Sequence, residues 1–243
     1  MPADLSRLWT LCALAAMAFV AACIAHEAVG HGLACLGTGG TVTLLSSVYF
    51  HCQPGHPLVD AAGTLSNLCV AAVFSLAARR SRHATARTAF ALVAAFNGLW
   101  GAGYLIFSAV TDTGDLAFVV RDLVLRPVWA WRLGMGLAGL WLYGIVLRSV
   151  APCLPNGMPL LAAYCAAGGV ACLSVLFYSG AVLPALKDAA QEGLLAPLGL
   201  LFVAFSRRPS PVLLPPSSRT IVLAGAIVVL AFWLTLGRGY AAA

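Results

Sequence analysis

Ala25-His26-Glu27-Ala28-Val29-Gly30-His31-Gly32 closes a long apolar run and places two imidazoles around a carboxylate. From Leu8 to that point the run holds no ionisable group other than cysteine thiols. Buried ionisable groups in apolar surroundings cost free energy unless a metal or a partner compensates them. The stretch therefore reads as a metal site on a membrane helix. The usual zinc-hydrolase pattern places its histidines at i and i+4, about 40° apart on a regular helix. Here the interval is five, which puts the rings about 140° apart on that helix. A π-bulge would return them to one face, and Gly30 and Gly32 on either side of His31 lower the cost of such a distortion.

Composition decides the class. Of 243 residues, 61% are hydrophobic and 9% charged, against roughly 25% charged in soluble domains. The fold expected is an all-α polytopic membrane protein, a single transmembrane domain over residues 1–243. Its metal-site core spans about 8–125, and C-terminal helices fill 126–243. Apolar runs at Leu8–Ile24, Pro57–Ala78, Thr88–Val110, Val128–Leu147, Met158–Tyr178, Leu183–Phe205 and Thr220–Leu236 make six to seven crossings, each near the roughly 20 residues a bilayer needs. The sixth carries Lys187, Asp188 and Glu192 and reads as an interfacial helix that crosses only from Gly193. Val20-Ala21-Ala22-Cys23 resembles a lipoprotein cleavage box, but the many equally apolar runs that follow make the first run one crossing among several.

The net charge of +6 comes almost entirely from arginine. No basic patch interleaves with aromatics, so no nucleic-acid partner is expected. With seven spans and the N-terminus inside, Arg7, Arg79, Arg80, Arg82, Arg87, Arg148, Arg207, Arg208 and Arg219 face the cytoplasm. Arg121, Arg126, Arg132, Lys187 and Arg238 then face outward, and this imbalance favours a cytoplasmic N-terminus. The same arrangement gathers His26, His31, His51 and His56 at one face with every acid except Asp4. The eight cysteines form no C-x-x-C pair and read as small buried hydrophobes rather than a disulfide framework.

A catalytic zinc takes three protein ligands and keeps an open position. His26 and His31 supply two ligands, and Glu27 is the candidate general base. The third ligand should come from elsewhere in the chain. Asp112 and Asp115, in the loop after the third span, are the leading candidates, with His51, His56 and Asp60 in reserve. Asp115 is preferred because Gly114 lets the chain turn it back toward the helix ends; its rival role is a helix N-cap. Asn67, Asn97 and Tyr104 are candidates for holding substrate or an oxyanion. Thr41 to Phe50, after the turn at Gly37-Thr38-Gly39-Gly40, has the composition of a strand or hairpin that an extended peptide could join.

In this order of motifs the chain resembles the site-2-type intramembrane zinc metalloproteases. His26-Glu27 with His31, the glycine turn and β-segment, Ala62-Gly63-Thr64-Leu65-Ser66-Asn67, and then Asn97 followed by the Asp112/Asp115 loop carry the resemblance over residues 20–120. Three features depart from the family pattern: the five-residue histidine spacing, Thr64 where proline is usual, and no Asn-Pro-Asp-Gly before the third ligand. The resemblance implies zinc, peptide-bond hydrolysis and a transmembrane or membrane-associated protein substrate. Two other classes compete. A membrane di-iron oxygenase acting on lipid would need more histidine clusters than the chain offers. A non-catalytic carrier, channel or degenerate protease would use the His-Glu-His cluster as a polar relay.

Overall fold

The computed structural model describes residues 3–206 and 212–241; Arg207 and Arg208 of the charge count lie outside them. Helix α1 (Ala3–Cys23) runs without a break into a π-helical segment (Ile24–Gly32) and a short α2 (Leu33–Gly37). A hairpin of β1 (Thr41–Leu45) and β2 (Phe50–Gln53) follows, then α3 (Pro57–Arg80), α4 (Ala84–Thr111), the short α5 (Asp115–Asp122), α6 (Val128–Val150) and α7 (Met158–Ser174). The chain continues as α8 (Val182–Ala190), α9 (Gly199–Ala204), α10 (Arg219–Phe232) and a two-residue β3 (Tyr240–Ala241). Six helical stretches are long and apolar enough to cross a membrane, the first of them Asp4–Gly37. The fold is all-α and polytopic, as composition demands.

Helix α4 packs against α1, α3 and α6, while α1 also meets α7 and α10. Phe19 of α1 joins three of these elements: it stacks on Trp100 at 5.9 Å and meets Phe96 and Phe232 edge-on. In a bilayer, helices associate through close packing of small residues rather than through exclusion of water. Gly98 accordingly lies against Val146 and Ala71, and Gly139 against Ile106 and the Ala102 carbonyl. Much of α6 and α10 stays exposed and apolar, as lipid-facing helices must. One continuous core draws residues from α1, α4, α6, α7, α9 and α10, so the C-terminal helices belong to the same packed body as the stretch 8–125.

The sixth run departs from a single crossing helix. Between α8 and α9 it passes through a second π-helical turn (Gln191–Leu195) and a 3₁₀ turn (Ala196–Leu198) that contains Pro197. Proline and the change of helix type release backbone groups that lipid cannot satisfy. Tyrosines from neighbouring helices take them up. Tyr164 donates to the Leu194 carbonyl at 2.7 Å, and Tyr143 donates to the Ala196 carbonyl at 2.9 Å while accepting from the Gly199 N–H at 2.7 Å.

The β-segment is a hairpin whose second strand extends beyond Phe50. The strands lie in the order β2-β1-β3, all antiparallel, with the chain's C-terminal Tyr240–Ala241 against Leu45 and Leu44. One expectation about the cysteines is corrected: Cys35 and Cys52 form a disulfide that ties α2 to β2, with Cα atoms 5.8 Å apart. The glycine turn between them folds β2 back beside α2, a pairing that spacing alone does not reveal.

The first helix approaches α3 at Gly30, where a Cβ would fall 2.6 Å from the Ala62 carbonyl oxygen and 2.7 Å from the Gly63 Cα. Both obstacles are backbone and cannot rotate away. Gly30→Ala is expected to destabilise the fold by about 1–3 kcal/mol, the usual cost of overpacking, read as a lowered thermal midpoint in detergent.

Candidate metal centre

In the segment Ile24–Gly32 the backbone is π-helical throughout. Hydrogen bonds from i to i+5 bring residues five apart close to one face. The rings of His26 and His31 consequently meet, with centroids 4.8 Å apart and planes nearly perpendicular. Both histidines and Glu27 between them are buried. The five-residue interval that a regular helix cannot use is matched by the register of this segment.

Helix α3 aims the rings from behind, through residues four apart on one face. His31 Nδ1–H donates to the Val59 carbonyl at 2.7 Å, which leaves the Nε2 lone pair facing forward. One turn on, Gly63 has no side chain, and its absence makes room for the two ligand nitrogens. A Cβ there would sit 2.7 Å from His26 Nε2 and closer still to His31 Nε2. One further turn on, the fully buried Asn67 meets His26 Nδ1 at 3.2 Å through Nδ2, while its Oδ1 lacks a partner. A half-turn of the amide exchanges those atoms. Oδ1 then accepts from Nδ1–H, and Nε2 of His26 also presents a lone pair. From α4, Trp100 stacks on the His26 ring at 5.1 Å and Tyr104 lies tilted at 5.5 Å.

Asp115 supplies the third donor. The loop after α4 turns through Asp112, in the left-handed region at φ 56°, and Gly114 at φ 82°. Asp115 opens α5, but its side chain does not cap it; Gly114 occupies the N-cap position. Instead Asp115 Oδ2 lies 3.3 Å from Nε2 of both His26 and His31. It accepts an aligned hydrogen bond from neither. Burial pushes the Asp115 carboxyl up, yet in the metal-free chain the two imidazoles facing it, when they carry the proton, hold it below the usual carboxylate range.

These three residues have the geometry of a ligand set. Their donor atoms all lie within 4.8 Å of one another. Ligands at about 2.0–2.1 Å from a tetrahedral ion stand ~3.3 Å apart, which is the separation found between Asp115 Oδ2 and each ring nitrogen. A buried carboxylate oxygen equidistant from two imidazole nitrogens, but bonded to neither, leaves a position between them that a cation fits.

The remaining expected residues fall elsewhere. Asp112 caps the C-terminus of α4, and its carbonyl accepts from Arg121 at 2.6 Å. His56 caps α3 by accepting from the Leu58 N–H. His51 and Asp60 line the cavity in front of the site without joining the ligand group. Asn67 and Asn97, expected to hold substrate, do not lie on that cavity: Asn67 holds His26, and Asn97 donates to Val93 of its own helix at 2.9 Å. The cavity has a volume of about 670 Å³. Its walls include Glu27, Tyr104, Asp115, the strand β2 and, from the broken helix, Gln191 and Glu192. Trp100 and Glu192 were not singled out by sequence reasoning. The signals for Glu192 were an acid within an apolar run and a topology that puts it at the face of the histidines.

The purified chain is expected to bind a divalent cation near one per molecule, measured by elemental analysis. Asp115→Asn and Gly63→Ala should each abolish this binding in folded protein. Asn67→Ala should weaken it about 10–100-fold, the usual consequence of removing a group that orients a ligand.

No protein-family model, no curated protein and no solved structure matches this chain, so the functional reading rests on the geometry of the site.

Proposed function

We propose that the chain is an intramembrane zinc-dependent peptidase of the site-2 type, cutting membrane-associated protein substrates. The observation that carries this reading is the placement of Asp115 Oδ2 at 3.3 Å from both histidine nitrogens, with the buried Glu27 carboxylate beside them on the same cavity. Two imidazoles and one carboxylate with an open side toward a cavity are the donor set of a hydrolytic zinc. When bound, zinc supplies Lewis-acid polarisation and makes water a usable nucleophile near neutral pH.

The protein's own groups divide the remaining work. Glu27 Oε2 is buried and has no hydrogen-bond partner, so it is free to take a proton from water and return it to the leaving amine. Tyr104, on the cavity wall beside His26, is placed to donate to a developing oxyanion. Strand β2 is an outer strand of the sheet, and Phe50, His51, Cys52 and Gln53 line the cavity, Phe50 stacking 5.3 Å from His31. An extended substrate pairing with that edge would run past the ligand group. Strand β1 lies between β2 and β3, so of the strands in the hairpin it is β2 that has an edge to offer. Among the described residues there is one His/Asp group with ligand spacing, where a two-iron oxygenase would need two.

Two independent features support the proposed membrane orientation. The Cys35–Cys52 disulfide lies at the site end of the bundle, and disulfides persist in oxidising compartments. Arg79 and Arg80 lie in the last turn of α3, at its other end, with Arg82 and Arg87 just after it, and loops rich in arginine are retained on the cytoplasmic side. The site accordingly opens away from the cytoplasm, with the N-terminus inside.

Reconstituted protein loaded with zinc should cleave quenched fluorescent transmembrane peptides, and Glu27→Gln should lower the rate about 10²–10⁴-fold while zinc content stays unchanged. Loss of zinc together with activity, or full activity in Glu27→Gln, overturns the assignment. In intact cells a membrane-impermeant maleimide should label Gln53→Cys from outside and leave Arg82→Cys unlabelled; the reverse pattern refutes the orientation.

A further inference from the structure

The cavity has a second acidic wall that the ligand group and Glu27 do not use. It is built by the broken helix. Lys187, Asp188, Gln191 and Glu192 all line the cavity from α8 and the π-helical turn that follows. Glu192 is only 7% exposed, and its Oε2 is buried without a hydrogen-bond partner. Asp188 is held in place by Tyr49 of the hairpin, whose hydroxyl donates to Oδ2 at 2.8 Å.

Acidic side chains outnumber basic ones around this cavity. A divalent ion among the ligands offsets Asp115 and Glu27. Among the described residues, Asp60, Asp188 and Glu192 then remain as acidic side chains on the walls, with Lys187 the one lining side chain of fixed positive charge. A carboxylate shielded from water and without a partner is satisfied by a cation with N–H donors. The space is there for one, since 670 Å³ greatly exceeds the roughly 30 Å³ that a water molecule occupies.

We infer that Glu192, with Asp188 and Gln191, forms a subsite for a positively charged group on the peptide substrate, either a lysine or arginine side chain or a free N-terminal ammonium. The inference takes the peptide class from the proposed function, and adds that substrates carry this charge within reach of the centre. The π-helical turn gives Glu192 its placement, on the cavity wall contributed by the broken helix, while Asp188 one turn earlier anchors that wall to the hairpin roof.

Binding, read apart from cleavage, tests it. The full zinc-loaded chain in detergent is titrated with one short apolar peptide in three forms: N-acetylated with an internal lysine, N-acetylated with norleucine in its place, and norleucine with a free N-terminus. The acetylated lysine form binding about tenfold tighter than the acetylated norleucine form supports the subsite with a side-chain source. A comparable gain for the free-amine form supports it with a terminal source. Glu192→Gln should remove the preference while zinc stays bound; a preference that survives overturns the assignment, as do equal affinities of all three forms for the wild type. If Glu192→Gln does not fold, carbodiimide coupling of the preferred form to the wild type decides. A link mapped to Glu192 or Asp188 supports the subsite, and a link only to other acids refutes it. A chain that prefers the charged forms but never cuts them retains the subsite and loses the peptidase reading. One that cuts without regard to charge does the opposite.

Discussion

Everything at the metal centre depends on the hydrogen-bond register between Ile24 and Gly32. With i to i+4 bonds the two imidazoles would diverge by about 140°. With i to i+5 bonds they meet at a centroid distance of 4.8 Å. A π-helix is less favourable than an α-helix and rarely persists, so a run of this length needs support from its surroundings. The support comes from α3, whose Val59, Gly63 and Asn67 present one carbonyl, one empty position and one amide to the two rings. Hydrogen bonds behind the rings and the missing Cβ between them hold the ligands in the one register that serves them.

The bilayer shapes how the rest of the bundle accommodates its irregular parts. In hydrocarbon an unbonded backbone group is costly, yet this chain contains π-helical and 3₁₀ turns in its apolar interior. Tyr143 and Tyr164 satisfy the interruption around Pro197. The hairpin is secured by Cys35–Cys52, by Tyr49 to Asp188 and by Ser47 against Ser174 at 3.1 Å. The π-helical segments Ile24–Gly32 and Gln191–Leu195 and the hairpin thus border the cavity.

This arrangement also unites the two halves of the chain. The ligand group comes from residues before 120, while the opposing cavity wall comes from Gln191 and Glu192. Phe19 links α1 to α4 and α10 through a single ring. The centre thus sits between an N-terminal part that carries the donors and a C-terminal part that closes the space around them.

Much of the fold was legible from residue order, because hydropathy over some twenty residues needs no knowledge of neighbours. The crossings, the strand-forming stretch after Gly40 and the need for a π-distortion at His26 and His31 all follow from local composition and helix geometry. The preference for Asp115 over Asp112 followed from Gly114, whose positive φ makes the turn. Long-range pairings were beyond that reach. The Cys35–Cys52 bond, the support of His26 by Asn67 and Trp100, and the exposure of Glu192 to the cavity depend on which helix faces which, and hydropathy does not encode facing. Local sequence determined a membrane bundle with a candidate pair of metal ligands, His26 and His31, and a preference for Asp115 as the third, because burial cost and helix periodicity act residue by residue. Tertiary structure alone decided what stands behind and opposite the triad, because it brings together elements far apart in the chain: Glu192, on the same cavity as His26, follows it by 166 residues.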